Sequence, residues 1–221
     1  LNYMSSIRFT PDQFLHFDEE CLLQSRLTGL TDQTSFTWFF VAKGYASQGS
    51  SPWPLFTALD TKTGWSFQLQ VVIEQRSNQP FEPRWKFSCG KWSEKTDQVD
   101  PKAFHIITIL KAGRVVRLFI DGCWSGIPAA EFIVEDEDVS AKINYVMFGL
   151  DANGSKYFDG ELTEFLAYDK PLLDSEIDGI GKYLARKFAL TWDWAKPRRS
   201  IKLDDWLATR EASAAVRRQT A

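Results

Sequence analysis

The chain has 221 residues, of which 44% are hydrophobic, 25% charged and 14% aromatic. This is the composition of a globular protein that can bury a core, and it excludes disordered, collagen-like and disulfide-scaffold chains. The formal net charge of −3 argues against nucleic-acid or anionic-membrane partners, because both call for a basic surface. No stretch approaches the roughly 18 consecutive apolar residues of a membrane span.

Short apolar segments separated by turn residues occupy the first two thirds of the chain. Residues 36–42 are aromatic and β-branched and predict a core strand. Residues 65–71 alternate apolar and polar side chains, so one face of this strand should be buried and the other hydrated. Residues 104–110 and 115–121 predict two strands joined by a link of hairpin length.

Two further strands are predicted at residues 143–150 and 161–168, on either side of a turn that contains Asn153-Gly154. Several short strands at hairpin spacing, without amphipathic helices between them, indicate an antiparallel β-sandwich.

One amphipathic helix is predicted for the body at residues 174–188. Its apolar residues Ile177, Ile180, Leu184 and Phe188 recur at helical spacing. Asp174 or Ser175 is the expected N-terminal cap, and a sheet edge or the mouth of the sandwich is the surface it should cover. A composition shift around Pro197 then predicts a boundary between a sandwich body at residues 1–195 and a tail at residues 196–221.

Three groups of motifs resemble the laminin-G-like, concanavalin A-like jelly-roll family in its bacterial or phage-type form. They are Ile7-Arg8-Phe9 and Phe14-Leu15 with 36–39, then 104–108 with 117–122, and finally Met147-Phe148-Gly149 with 158–169, 173–177 and 183–188. The resemblance covers about residues 5 to 190. It implies an all-β antiparallel jelly-roll sandwich and an extracytoplasmic or virion-surface location.

The sequence offers no motif of a catalytic centre. Only His16 and His105 are available, and there is no Cys-x-x-Cys or His-Glu-x-x-His spacing and no Gly-x-Ser-x-Gly elbow. His105 is interpreted as a structural histidine with satisfied hydrogen bonds. Glu161 and Glu164 are three residues apart, which in a regular strand places them on opposite faces and rules out the carboxylate pair of a retaining glycosidase.

Calcium is the metal that the resemblance implies, because such domains often bind it at the sandwich rim. Asp151, Asn153 and Asp159 flank one turn and offer hard oxygen ligands for a structural Ca²⁺. The alternative is that Asp151 and Asn153 only cap the backbone amides of that turn.

Four tryptophans lie in or beside loop-like segments and are candidates for stacking on a sugar: Trp53, Trp85, Trp92 and Trp124. Trp53 and Trp85 are the two expected to be most exposed. The alternative for each is core filling, the common role of Trp in a sandwich. Cys21, Cys89 and Cys123 are interpreted as buried thiols, with one disulfide plus one free thiol left open.

The tail predicts a second amphipathic helix. Leu203, Trp206, Leu207 and Arg210 fall on one helical face together with Ala214. An isolated helix of this length is marginal in water, so we expect this face to bind a groove on another protein subunit, with packing on its own body as the alternative.

Together these observations favour a non-catalytic binding or structural module of laminin-G-like type, used for glycan or protein contact in adhesion or assembly. The alternative is an accessory subunit of a large complex or virion, docked through residues 196–221. A glycoside-active enzyme is the third hypothesis, since the same fold also hosts enzymes.

Overall fold

A computed structural model gives the fold of this chain. It describes residues 8–9, 15–17, 23–25, 35–45, 53–60, 62, 66–74, 82–89, 92–95, 100–112, 115–124, 131–133, 143, 145–151, 153 and 157–194.

Fourteen strands and one helix are found in these residues. The strands are β1 (Arg8–Phe9), β2 (Leu15–Phe17), β3 (Leu23–Ser25), β4 (Ser35–Gly44), β5 (Trp53–Leu59), β6 (Ser66–Glu74), β7 (Glu82–Cys89), β8 (Trp92–Lys95), β9 (His105–Ala112), β10 (Val115–Ile120), β11 (Cys123–Trp124), β12 (Glu131–Ile133), β13 (Tyr145–Phe148) and β14 (Gly160–Tyr168). The helix is α1 (Asp174–Phe188). Each predicted strand of the body is therefore present with slightly different ends.

The strands form two antiparallel sheets that pack as a sandwich. Sheet A has the order β1-β2-β14-β4-β9-β10-β11, with β12 also paired to β10, and sheet B has the order β3-β13-β5-β6-β7-β8. Strands close in sequence, such as β13 and β14, lie in different sheets, so the chain crosses between layers rather than forming one meander. The predicted all-β antiparallel sandwich with one C-terminal helix on its body is confirmed.

The main core lies between the two sheets and is dominated by aromatic rings. Trp38 stacks on Phe36 with ring centroids 3.7 Å apart and meets the edge of Phe67 at 5.2 Å. In β6 the predicted inward face is present, because Phe67, Leu69 and Val71 are fully buried, but Gln70 on the face predicted to be hydrated is buried as well. These rings join the sheets through area burial and edge-to-face contacts.

A second core covers the outer face of sheet A. Phe39 and Val41 of β4 point away from the sandwich interior and pack with Ile177 and Leu184 of α1. The helix therefore covers the face of the sheet, not its edge or the mouth of the sandwich as the sequence predicted. Both faces of β4 are consequently buried, which explains why residues 36–42 are continuously apolar instead of alternating.

The predicted helix bounds of 174–188 are confirmed, but the predicted cap is wrong. Leu173 occupies the N-cap position, and its backbone N–H donates to the Glu176 carboxylate at 2.7 Å. The bond from Leu173 lowers the pKa of Glu176. Asp174 lies one residue inside the helix, where its charge still suits the N-terminal dipole.

A β-bulge in β14 corrects the predicted placement of two carboxylates. Glu161 is paired with Lys43 and Glu164 with Val41 on the neighbouring strand, and the register shifts between Leu162 and Glu164. Lys43 and Val41 are two residues apart and share a face, so their partners Glu161 and Glu164 also share one. Because the bulge inserts one extra residue between them, Glu164 lies on the same face as Glu161, whereas a regular strand would place the two on opposite faces.

Candidate functional site

The structure contradicts the prediction that Trp53 and Trp85 stack on a ligand. Trp85 is fully buried and Trp53 retains only 7% of its surface, and both belong to the core between the sheets. The neighbouring prolines suggested a loop, but Pro54 and Pro83 lie within paired strands β5 and β7. In these strands the tryptophans alternate inward, so core filling is the correct interpretation.

Trp92 and Trp124 lie in the short strands β8 and β11 at the edges of the two sheets. Their side chains are outside the described part of the structure, so their role in ligand stacking stays a prediction. The tail residues Leu203, Trp206, Leu207 and Arg210 are also outside the described residues, and the partner groove predicted for them stays a prediction as well.

The predicted calcium ligands have different environments. Asp151 is buried, Asn153 is exposed and Asp159 is half-buried. Within the ranges that the structure describes, no group of three His, Cys, Asp or Glu side chains comes together at a distance suited to a metal ion. A structural Ca²⁺ at this turn stays a prediction.

His105 has the hydrogen bonds expected of a structural histidine. Its Nδ1 lies 2.6 Å from the Asp121 carboxylate and its Nε2 lies 2.7 Å from the backbone carbonyl of Asp100. Burial disfavours the charged imidazolium, but the hydrogen bond to Asp121 and the charge of that carboxylate outweigh burial and raise the pKa of His105. This contact joins the start of β9 to the turn after β10.

The residues after α1 form a strap over the second core, which we define as residues 190–194. Trp192 lies on the helix at Gly181, where a Cβ atom would overlap the indole ring. The Trp192 indole N–H donates to Asp178 at 3.1 Å. Trp192 also stacks on Trp194, with ring centroids 5.8 Å apart and planes at 9°, and Trp194 packs on Phe119.

The backbone of the strap is also fixed to the sandwich. The Asp193 N–H donates to the carbonyl of Asp121 at 2.8 Å, and the Cys123 thiol donates to the Asp193 carbonyl at 3.4 Å. Gly122 has a φ of +82°, and a Cβ atom there would lie 2.9 Å from the Asp193 backbone. The half-buried thiol of Cys123 differs from the predicted buried one, whereas Cys89 is buried as expected.

An open cleft lies between the last two turns of α1 and the strap, and we call it the α1 cleft. It has a volume of about 580 Å³ and is lined by Lys182, Ala185, Arg186, Ala189, Leu190 and Trp192. Small side chains at Ala185 and Ala189 continue the groove that Trp192 fills at Gly181. Ala189 ends the helix with a left-handed φ of 54° and turns the chain toward Leu190.

Three cations lie near this cleft, and two of them are paired with carboxylates. Lys182 Nζ is 2.6 Å from Asp178, and Lys187 Nζ is 2.6 Å from Glu164. Each bond stabilises the charged pair, lowering the pKa of Asp178 and raising the pKa of Lys187. Arg186 donates its Nε–H to the carbonyl of Lys182 at 3.3 Å, and it has no ion pair with a described residue.

The α1 cleft was not predicted from the sequence. Its signal was the spacing of Gly181, Ala185 and Ala189 at intervals of four, followed by Trp192 and Trp194. Small residues at this spacing form a groove along one side of a helix. The groove cannot be recognised as a site until the chain is seen to turn back and place Trp192 in it.

A second polar cluster lies on the outer face of sheet A. Glu161 Oε1 is 3.3 Å from Lys43 Nζ and accepts a hydrogen bond from the Tyr45 hydroxyl. Lys43 also lies 4.6 Å from the centre of the Phe104 ring. Burial and the hydrogen bond to Glu161 raise the pKa of Tyr45. The members of this cluster bind one another, so the α1 cleft is the better candidate for a ligand site.

The fold and the cleft define a β-sandwich with a helix-flanked surface cleft, and comparison with known proteins agrees with that fold. No protein-family model and no curated protein matches the sequence. Among solved structures, one similar structure is of botulinum neurotoxin type C, described as entering cells through interaction with two ganglioside molecules. It has a TM-score of 0.59 and 11% identity, over 82% of this chain and 45% of that chain.

Two other similar structures extend the comparison. The binding domain of botulinum neurotoxin DC in complex with rat synaptotagmin II gives a TM-score of 0.54 and 10% identity, over 81% of this chain and 45% of that one. Trypanosoma rangeli sialidase in complex with 2,3-difluorosialic acid gives a TM-score of 0.51 and 15% identity, over 71% of this chain and 24% of that one. The chain thus spans less than half the length of each neighbour, and the likeness is one of fold.

No helix in the described part of the chain is both long and apolar enough to cross a lipid bilayer.

Proposed function

We propose that this chain is a non-catalytic binding module of laminin-G-like type that contacts a glycan through the α1 cleft. The observation that carries the proposal is the cleft itself. Its volume of about 580 Å³ falls within the range of small-ligand sites, which are concave, mostly apolar and supplied with a few polar groups. An aromatic side chain beside exposed cationic groups is suited to a sugar, which has both apolar faces and polar substituents.

The structural neighbours support a binding role. The neurotoxin structures are described in terms of gangliosides and synaptotagmin, so this fold occurs in proteins that bind a glycolipid or a protein. The matched part is under half of each neurotoxin chain, and the α1 cleft is proposed from this chain's own residues.

The environment of the two β14 carboxylates supports a non-catalytic module. The bulge places Glu161 and Glu164 on one face, yet Glu161 pairs with Lys43 at 3.3 Å and Glu164 with Lys187 at 2.6 Å. Glycoside hydrolysis requires two carboxyl groups that reach the substrate, whereas each of these carboxylates is bound to a lysine of the protein itself.

Filling the cleft tests the proposal. Ala189→Tyr adds a ring where Ala189 lines the cleft, and we expect it to abolish binding of the full chain to a glycan array. Ala189→Gly is the matched control, because it leaves the cleft open and suits the left-handed φ of 54°. Glycan binding that survives Ala189→Tyr, in a variant with an unchanged melting temperature, would place the site elsewhere and reject the α1 cleft.

An accessory subunit docked through residues 196–221 is the second candidate, and the strap favours it. The strap holds the chain against Gly122 and Gly181 up to Trp194, so the tail starts from a fixed point on the body. Because the residues before the tail are already ordered, the tail loses less conformational entropy when it docks to a partner.

The native mass of the particle tests this second candidate. The full chain should co-purify from its source in a large particle, and deletion of residues 200–221 should release it as a monomer. An unchanged particle after this deletion would remove the docking role of the tail while leaving the glycan proposal intact.

A further inference from the structure

We propose that the ligand of the α1 cleft is an acidic sugar with a single carboxylate, and that Arg186 binds that carboxylate. This inference rests on the proposed function, because it specifies the ligand class of the same cleft. Its basis is the combination of an exposed arginine that forms no ion pair with any described residue, an apolar wall and the end of a helix.

The charge balance at the cleft singles out Arg186. Lys182 and Lys187 each contact a carboxylate at 2.6 Å, whereas Arg186 is exposed and lines the cleft. Its Nε–H donates to the Lys182 carbonyl, and its terminal guanidinium nitrogens form no ion pair with the residues that the structure describes. A guanidinium binds a carboxylate through two parallel hydrogen bonds, a geometry that an ammonium group does not provide.

The helix end disfavours a second negative charge on the ligand. The last carbonyls of α1 carry a partial negative charge, which disfavours anions close to the helix terminus. A ligand with one carboxylate at Arg186 avoids that region, but a sulfated polyanion extending past Ala189 would meet it. The Ala185 carbonyl accepts the N–H of Leu190 at 2.9 Å, so hydroxyl groups of a ligand would donate to the carbonyls that follow Ala185.

The wall of the cleft favours a sugar over an acidic peptide. The indole N–H of Trp192 is bonded to Asp178, so the ring offers the cleft its hydrocarbon surface and not a donor. Leu190 and Ala185 extend that apolar surface. A sugar ring can place its C–H face on this wall, its hydroxyls toward the helix carbonyls and its carboxylate on Arg186.

The strap makes the cleft preorganised. Trp192 is held by contact with Gly181, by the bond to Asp178 and by stacking on Trp194. A wall fixed in this way loses little conformational entropy when a ligand binds. The charge preference should therefore depend on Arg186 and not on rearrangement of the strap.

Matched sugar pairs provide the test. The full chain is titrated with methyl β-D-glucuronide and methyl β-D-glucoside, with methyl α-D-galacturonide and methyl α-D-galactoside, and with 3′-sialyllactose and lactose. Binding is measured by calorimetry and by the shift of the Trp192 indole N–H resonance, assigned with Trp192→Phe. In at least one pair the acid should bind about tenfold or more tightly than its neutral partner, and Arg186→Gln should remove that difference.

Two further variants separate charge from geometry. Arg186→Lys keeps the charge but loses the two-pronged geometry, so it should recover only part of the preference. Lys102→Gln removes an exposed cation from the turn before β9 and should change nothing. An effect of Lys102→Gln equal to that of Arg186→Gln would reduce the preference to overall charge and overturn the role of Arg186.

The remaining outcomes distinguish the inference from the proposed function. If each acid binds no better than its neutral partner and Ala189→Tyr still abolishes binding, the acidic-sugar inference fails and the proposed glycan function stands. If a glutamate-rich peptide shifts the Trp192 resonance and displaces every sugar acid, the sugar class is wrong. If the sugars neither bind nor respond to Ala189→Tyr, both the inference and the proposed function fail.

Discussion

Replacing Gly181 with alanine should lower the free energy of unfolding by about 3 kcal/mol, because the new methyl group cannot coexist with Trp192. A Cβ atom built on Gly181 overlaps three atoms of the indole ring, and Gly181 is buried on the inner side of α1. The ring must leave its position, losing its bond to Asp178 and exposing part of the second core. Losing the burial of a Trp side chain typically costs about 3–5 kcal/mol, and overpacking about 1–3 kcal/mol.

Gly179 supplies the matched control for this variant. It lies in the same helix, two residues earlier, and a Cβ atom there meets nothing within 4 Å. Gly179→Ala should therefore raise stability by about 1 kcal/mol through helix propensity alone. Urea denaturation of the two variants measures both effects. If Gly181→Ala and Gly179→Ala raised the free energy of unfolding equally, Trp192 would not pack on the helix.

The same variant also connects the strap to the proposed site. Trp192 is one wall of the α1 cleft, so Gly181→Ala should weaken glycan binding even at temperatures where the protein remains folded. Gly179→Ala should leave binding unchanged. A stability loss with unchanged binding would separate the strap from ligand recognition.

Periodicity predicted the elements of this fold but not what covers them. The helix at residues 174–188 followed from the spacing of Ile177, Ile180, Leu184 and Phe188, and the structure has the same bounds. The continuous apolar run of β4 was recognised as a core strand, yet its sequence does not say which element covers its second face. That face is covered by α1, which lies more than 130 residues later.

Tertiary placement also explains the errors at individual residues. The alternation rule failed at Glu164 because a bulge inserts one residue into β14, and no local pattern distinguishes a bulged strand from a regular one. Trp85 was predicted to be exposed because of nearby prolines, but it alternates inward within β7. The α1 cleft depends on a chain reversal after Ala189, and such a reversal is visible only in three dimensions.

His105 should make the stability of the protein depend on pH, with the largest contribution under acidic conditions. Its two ring nitrogens face two acceptors, the Asp121 carboxylate at 2.6 Å and the Asp100 carbonyl at 2.7 Å. Only the imidazolium can donate to both at once, because a neutral imidazole has a single N–H. Burial opposes this charge, but the hydrogen bond and the charge of Asp121 raise the pKa of His105 above its usual 6.5.

A raised pKa in the folded protein fixes the direction of the pH dependence. The folded state holds the proton more tightly than the unfolded chain, so the stabilisation is complete below about pH 6.5. It is lost as the pH rises through the higher pKa of the folded state. His105→Gln should therefore lower the free energy of unfolding by about 3 kcal/mol at pH 5, since a hydrogen bond to a charged group contributes about 1.5–3 kcal/mol. The difference in unfolding free energy between wild type and His105→Gln should become smaller above neutral pH.

Asp121→Asn isolates the charge from the backbone geometry. Asp121 has a φ of 53°, which asparagine tolerates, and its Oδ1 accepts the Ile106 N–H at 2.9 Å, a bond that an amide oxygen can preserve. The amide NH₂ would then face Nδ1 and favour neutral histidine, so the pH dependence should disappear although the turn remains. Because the Asp121 carbonyl also accepts the N–H of Asp193, this turn links His105 to the strap.

Chemical denaturation at pH 5, 7 and 9 tests whether His105 is charged in the folded protein. Parallel curves of unfolding free energy against pH for wild type and His105→Gln would mean that His105 is neutral and donates only one hydrogen bond.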